Sequence, residues 1–182
     1  MNTYFPIISN LITNGCLFID TINSYLEIGV CEGISVKAIV QEYPGIKEVV
    51  LSDTWGGTYG GTARGSHEYV KKNLLNMGYP LEYITFLDGD SHITIPQYFR
   101  DNLEKKFDLC FVDGDHSIKG LSCDLENVLN HTLITAIHDV RHPAYTYLYE
   151  VCLAFYRQVH DRYIMIDEGA YLIYFIDKSV VK

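Results

Sequence analysis

The 182 residues are 48% hydrophobic, enough for a full core in a single domain spanning 1-182, with 1-24 as an N-terminal helical extension. Fourteen Lys and Arg stand against 23 Asp and Glu, a formal charge of -9 with no basic run to offset it, which argues against a nucleic-acid surface and favours small-molecule chemistry. No basic-flanked leader is present, no stretch reaches the roughly 18 apolar residues of a membrane span, and the five cysteines form no Cys-x-x-Cys pair, so a cytoplasmic location is expected.

Ile8, Leu11 and Ile12 recur at helical spacing within Phe5 to Leu17, predicting a leading helix. Tyr25 to Gly29 then reads as a short apolar strand, and Val36, Ile39, Val40 and Tyr43 as the inward face of the next helix. Gly29 and Gly33 therefore fall at a strand-to-helix turn, where α/β proteins bind nucleotide-type ligands against free helix amides. The dinucleotide fingerprint Gly-x-Gly-x-x-Gly lacks its middle glycine here, because Cys31 stands there. A phosphate would also be repelled by the carboxylate of Glu27, whereas a ligand without phosphate loses nothing.

Pro44-Gly45 breaks the chain before a second strand, Ile46 to Leu51, which ends at Ser52-Asp53. Asp53 lies 24 residues beyond Gly29, the place from which an acid bonds both ribose hydroxyls. Five of the 14 glycines crowd into Thr54 to Gly65, so this stretch is expected to be a loop. Trp55 or Tyr59 is placed to stack on a base or substrate, and Arg64 either clamps an anion or is solvated. Ser66 is expected to cap a helix carrying Val70, Leu74 and Met77, stopped by Gly78 and Pro80.

A third strand, Tyr83 to Leu87, leads to Asp88-Gly89-Asp90-Ser91, whose Asp90 and Ser91 are placed to meet an adenine amino group and a ring nitrogen. A helix over Ile95 to Leu103 follows, then a fourth strand, Phe107 to Val112, so apolar that it must be central. Asp113-Gly114-Asp115-His116-Ser117 comes next, with Ser117 capping a further helix. The fifth strand, Leu133 to Ile137, ends in His138-Asp139. In a doubly wound sheet the ends of strands four and five adjoin, so Asp113, His116, His138 and Asp139 should converge. Two carboxylates and two imidazoles suit a divalent metal with an adjacent base, or a metal-free polar network. A helix from Ala144 to about Val159 precedes two strands, Tyr163 to Ile166 and Tyr171 to Ile176, too close in sequence to be parallel neighbours. The tyrosines of that helix suit core packing, a substrate pocket or a homo-oligomer contact.

Glu27-x-Gly29-x-x-x-Gly33-x-Ser35, the acid after strand two, Gly89-Asp90-Ser91 and the terminal hairpin together resemble the class I S-adenosylmethionine-dependent methyltransferases, over residues 25 to 177. Ser52-Asp53-Thr54-Trp55-Gly56, Asp113-Gly114-Asp115-His116-Ser117 and His138-Asp139 are similar to the bacterial small-molecule O-methyltransferase family that includes the macrolide-sugar enzymes. The resemblance implies a Rossmann-like doubly wound sheet of about seven strands, mostly parallel with a C-terminal antiparallel hairpin. It implies S-adenosylmethionine as cofactor, with Gly29 and Gly33 bordering its methionine part, Glu27 orienting the binding loop, Asp53 holding the ribose, Asp90 and Ser91 holding adenine, and Ser35, Thr54, Trp55 and Asp113 also among the cofactor-binding residues. It further implies His116 as base and Asp113, His138 and Asp139 as ligands of magnesium or another divalent cation. His138 is a nitrogen donor where the family carries an acid. The partner implied is a small-molecule hydroxyl acceptor, a sugar or natural product, with no nucleic acid and no membrane. A non-catalytic cofactor-binding protein and a metal-dependent hydrolase using Asp113, His116 and Asp139 are the alternatives. A nicotinamide dehydrogenase is disfavoured by the missing glycine.

Overall fold

The computed structural model describes residues 4-56, 65-169 and 171-182, so the expectations for Tyr59 and Arg64 lie outside the described residues. Seven strands form one sheet: β1 (Ser24–Ile28), β2 (Glu48–Asp53), β3 (Ile84–Asp88), β4 (Phe107–Val112), β5 (Thr132–Ile137), β6 (Tyr163–Asp167) and β7 (Ile173–Asp177), in spatial order β3-β2-β1-β4-β5-β7-β6. The first five are parallel, and β7 enters antiparallel between β5 and β6. Succession runs outward from β1 to β3 and then resumes on the other side at β4, so the order reverses between β1 and β4. A crevice opens at the carboxyl ends of strands around such a reversal.

Alternation along the central strands builds a core on each face of the sheet. Tyr25, Val49, Leu51, Leu109 and Phe111 face one side with α1 (Pro6–Thr13), α2 (Ile34–Glu42) and α3 (His67–Asn76). Leu26, Ile28, Val50, Cys110 and Val112 face the other, with α4 (Ser91–Asp101), α5 (Ile118–Val128) and α6 (Leu148–Val159). All five residues of β1 are buried, as a central strand covered on both faces requires. Among the described residues no helix is long and apolar enough to cross a membrane.

Caps fix the helix starts. The Ser66 and Ser117 hydroxyls accept the Tyr69 and Gly120 amides, as their sequence positions predict. Elsewhere the sequence reading shifts. Helix α4 begins at Ser91, four residues before Ile95, because Asp90 caps it by accepting the His92 amide. Pro96 therefore lies inside the helix. Helix α6 begins at Leu148, not Ala144, since the preceding residues close successive turns, Tyr145 N to His142 O and Leu148 N to Tyr145 O. The leading helix stops at Thr13, and Leu17 instead bridges Val181.

Candidate functional site

A cavity of about 370 Å³ lies where the carboxyl ends of β1 to β5 meet, and its wall includes Gly29, Asp53, Asp90, Asp113, His116 and Asp139. Its β1 side is set by backbone packing. Gly29 has φ +84°, and a Cβ placed on it would stand 2.1 Å from the Asp113 carbonyl oxygen. The Asp113 amide meanwhile donates to the Ile28 carbonyl at 2.8 Å. The glycine is therefore required by the neighbouring strand's exit, whereas the sequence suggests a ligand as the reason.

Asp53 gathers the two turns that follow β1 and β2. Its Oδ2 accepts the Val30 and Cys31 amides, each at 2.8 Å, and its Oδ1 accepts the Trp55 amide at 2.7 Å. A carboxylate offers about four acceptor positions, so Oδ1 retains one for a ligand hydroxyl. Cys31, Trp55 and Asp139 have φ of 49°, 56° and 57°, the three non-glycine residues with positive φ among those described. All three line the cavity, as stored backbone strain at a functional site does. Thr54 also reaches the wall. The Trp55 ring packs edge-on against His67, centroids 4.6 Å apart, while its Nε1 donates to Asp88 at 3.0 Å.

Glu27, Gly33 and Ser35 are not on the cavity wall. Glu27 is fully buried, accepting the Ser35 hydroxyl and the Tyr25 hydroxyl, the latter at 2.8 Å, so it braces the first turn of α2 from behind. Gly33, at φ +71°, packs on Val70 of α3. Burial is the main force pushing the Glu27 carboxyl up to about 8, with Asp113 and Asp53 adding to it, so at neutral pH it is mostly uncharged. A folded-state pKa above the unfolded value near 4.5 means the native state holds the extra proton between those two values. Glu27 therefore supports folding fully at low pH, and that support drains as pH rises toward 8. Melting curves from pH 5 to 9 should show wild type losing stability relative to Glu27→Gln, and parallel curves would refute the buried proton.

At the ends of β4 and β5 the four expected residues do converge. His116 Nε2 lies 3.4 Å from Asp113 Oδ1 and 3.2 Å from Asp139 Oδ2. His138 Nδ1 lies 3.1 Å from Asp113 Oδ1 and 3.4 Å from Asp139 Oδ1. Burial lowers both histidine pKa values, but the Asp113 and Asp139 carboxylates, with Asp113 also hydrogen-bonded to His138, outweigh it and leave them raised. Burial likewise raises the Asp113 carboxyl, yet the two histidines hold it below the ordinary range. Asp113, His116 and Asp139 each offer a ligand atom within 4.8 Å of one another, the group of three so placed among the described residues.

Tyr145, read from sequence as part of a helix, stacks on His116 at 4.6 Å and 29° and lines the cavity. The Tyr147 hydroxyl donates to the His116 carbonyl at 2.9 Å. Pro143 was the available signal for Tyr145, but a proline also suits the start of a helix, so its turn was hidden.

A methyltransferase-domain family model matches residues 26–140, which spans every strand end described above from β1 to β5. The chain belongs to the methyltransferase-domain family. Among solved structures, this methyltransferase domain is similar to CalS11, a TDP-rhamnose 3'-O-methyltransferase of calicheamicin biosynthesis, at 17% identity and TM-score 0.65, covering 95% of this chain and 83% of that one. It is similar to the O-methyltransferase NovP at 15% identity and TM-score 0.66, over 93% and 76% of the two chains. It also matches the MycE methyltransferase of the mycinamycin pathway, in complex with Mg, SAH and mycinamycin VI, at 13% identity and TM-score 0.64, over 96% of this chain and 49% of that one. At these identities the likeness is one of fold. No curated protein matches the sequence.

Proposed function

We propose that this domain transfers the methyl group of S-adenosylmethionine to a hydroxyl oxygen of a small molecule, a sugar or natural product. The observation that carries the reading is one cavity joining three chemistries: Asp53 for the ribose, Asp90 and Ser91 for adenine, and the Asp113, His116, His138 and Asp139 corner for the reacting hydroxyl. The O-methyltransferases CalS11 and NovP, and MycE with its SAH and mycinamycin VI, support the donor and the acceptor class.

Transfer breaks the sulfur–methyl bond and forms an oxygen–methyl bond, leaving S-adenosylhomocysteine. The domain's part is to hold acceptor oxygen, methyl carbon and sulfur in line. His116 takes the hydroxyl proton, and the resulting imidazolium faces two carboxylates that stabilise it, Asp113 at 3.4 Å and Asp139 at 3.2 Å. Tyr145 holds the imidazole plane from one side.

Two carboxylates with an imidazole nitrogen at these separations fit a divalent cation; the sequence expectation makes His138 the third ligand beside Asp113 and Asp139, whereas the ligand atoms that gather within 4.8 Å are those of Asp113, His116 and Asp139. Such an ion would lower the pKa of the acceptor hydroxyl. The imidazole donor weakens the case for magnesium, which prefers oxygen ligands, and leaves room for manganese, iron, zinc or no metal.

Calorimetric titration with S-adenosylmethionine, first with excess chelator and then with magnesium or manganese, tests the reading. Affinity in the micromolar range is expected under both conditions, because the cofactor residues are separate from most of the metal corner. Absence of binding in both would overturn the assignment.

A further inference from the structure

Beneath the adenine end of the cavity, outside the chemistry assigned so far, lies a buried polar group with no assigned task. Asp124 on α5 is fully buried, yet it sits under two elements of the cavity wall. Its Oδ1 accepts the Ser91 hydroxyl at 2.7 Å. Its Oδ2 has no hydrogen-bond partner among the described residues and points at Gly114, where an added Cβ would stand 3.3 Å away. Ser91 and Gly114 both line the cavity. A carboxyl placed in such surroundings is costly unless the fold uses it.

The same aspartate faces His92, whose buried Nε2 makes no hydrogen bond among the described residues and whose ring adjoins the other adenine residue. That imidazole lies between two carboxylates, with Nδ1 3.3 Å from Asp90 Oδ1 and Nε2 3.8 Å from Asp124 Oδ1. The first turn of α4 is otherwise occupied. Asp90 Oδ1 accepts the His92 amide, and the Asp90 carbonyl accepts those of Ile93 and Thr94. The Ser91 amide is left with no protein acceptor among the described residues, at a helix N-terminus that opens on the cavity.

We propose that Asp124 is the positioning residue for recognition of the purine. It draws the Ser91 hydroxyl down onto α5 and, through His92, steadies Asp90, so that one backbone donor and one carboxylate acceptor face the purine edge together. This pairing matches a 6-aminopurine, which presents ring-nitrogen acceptors beside an amino donor, and disfavours the 6-oxo form, which presents a carbonyl oxygen to the Asp90 carboxylate. Burial pushes the Asp124 carboxyl up to about 6, with Asp115 and Asp90 adding to it, while Ser91 and His92 act in the opposite direction. Cys110 on β4 also faces it, so Ser91 and His92 are its favourable neighbours.

The inference rests on S-adenosylmethionine as cofactor, so the test is calorimetric binding of two probes, S-adenosylhomocysteine and its deaminated analogue S-inosylhomocysteine, to the full chain. Wild type should prefer the adenosyl form. Asp124→Ala should weaken adenosyl binding at least tenfold while changing inosyl binding little, collapsing the preference. Asp124→Asn keeps an oxygen for the Ser91 hydroxyl and should recover much of the loss. Ser91→Ala cuts the same link from the cavity side and should reproduce the collapse even where Asp124→Ala fails to fold. Unchanged adenosyl affinity in a folded Asp124→Ala, or in Ser91→Ala, overturns the proposal, as does an equal loss for both probes. Wild type that binds neither probe sinks the cofactor reading itself, whereas wild-type preference retained by the variants sinks only the role of Asp124.

Discussion

Replacing His116 with alanine is expected to lower turnover by about 10²- to 10⁴-fold while S-adenosylmethionine affinity stays within about threefold of wild type. The expectation follows from the position of the ring. His116 Nε2 faces Asp113 and Asp139 at the ends of β4 and β5, while Asp53 ends β2, and Asp90 and Ser91 cap and begin α4 after β3. Removing the imidazole takes away the proton acceptor and leaves the residues assigned to ribose and adenine in place. His116→Gln should be almost as slow, because an amide keeps polar contacts with the two carboxylates but takes up no proton at neutral pH. Rates would be measured as S-adenosylhomocysteine release with an acceptor found by screening sugars and hydroxylated natural products. A variant turning over within about threefold of wild type removes His116 from the chemistry and leaves it as a partner of Asp113 and Asp139. Equal losses of rate and cofactor affinity would instead mark it as part of the cavity's frame.

Sequence patterns expose features that depend on short-range geometry. Seven strands and the terminal hairpin were legible because alternation, glycine breaks and connection lengths are local, whereas the reversal between β1 and β4 is a matter of strand order. The meeting of Asp113, His116, His138 and Asp139 followed from the topology, since adjacent parallel strands bring their carboxyl ends together. What stayed hidden depends on packing between distant segments. Glu27 stands beside the glycine turn, but its partners Tyr25 and Ser35 depend on alternation along β1 and on the packing of α2, which the motif alone does not display. Asp124 is one polar residue within an apolar helix pattern, and only the approach of α5 to the β3–α4 turn gives it Ser91. Tyr145 reaches His116 through consecutive turns that no periodicity marks.

Gly29→Ala should be among the most destabilising single-methyl changes in the chain, costing about 3 kcal/mol. Two terms combine. A left-handed φ of +84° strains any residue with a Cβ by roughly 1-2 kcal/mol. The new methyl would also stand 2.1 Å from the Asp113 carbonyl oxygen, 2.5 Å from its carbon and 2.8 Å from the Gly114 nitrogen, and overpacking against backbone adds about 1-3 kcal/mol. No flexible side chain can yield, so relief requires β4's exit to move away from β1. That movement stretches the bond from the Asp113 amide to the Ile28 carbonyl and carries the Asp113 side chain with it. Gly78→Ala is the control, because its φ of +76° imposes the same kind of strain with nothing within 4 Å of the added carbon. Gly78→Ala should lower the melting temperature by about 2-8 °C and Gly29→Ala by about 6-12 °C, using the usual 2-4 °C per kcal/mol for a chain of this size. Equal shifts would mean that left-handed strain alone explains the glycine. A larger shift for Gly29, with turnover falling further than cofactor affinity, would tie the close packing of β1 and β4 to the placement of Asp113.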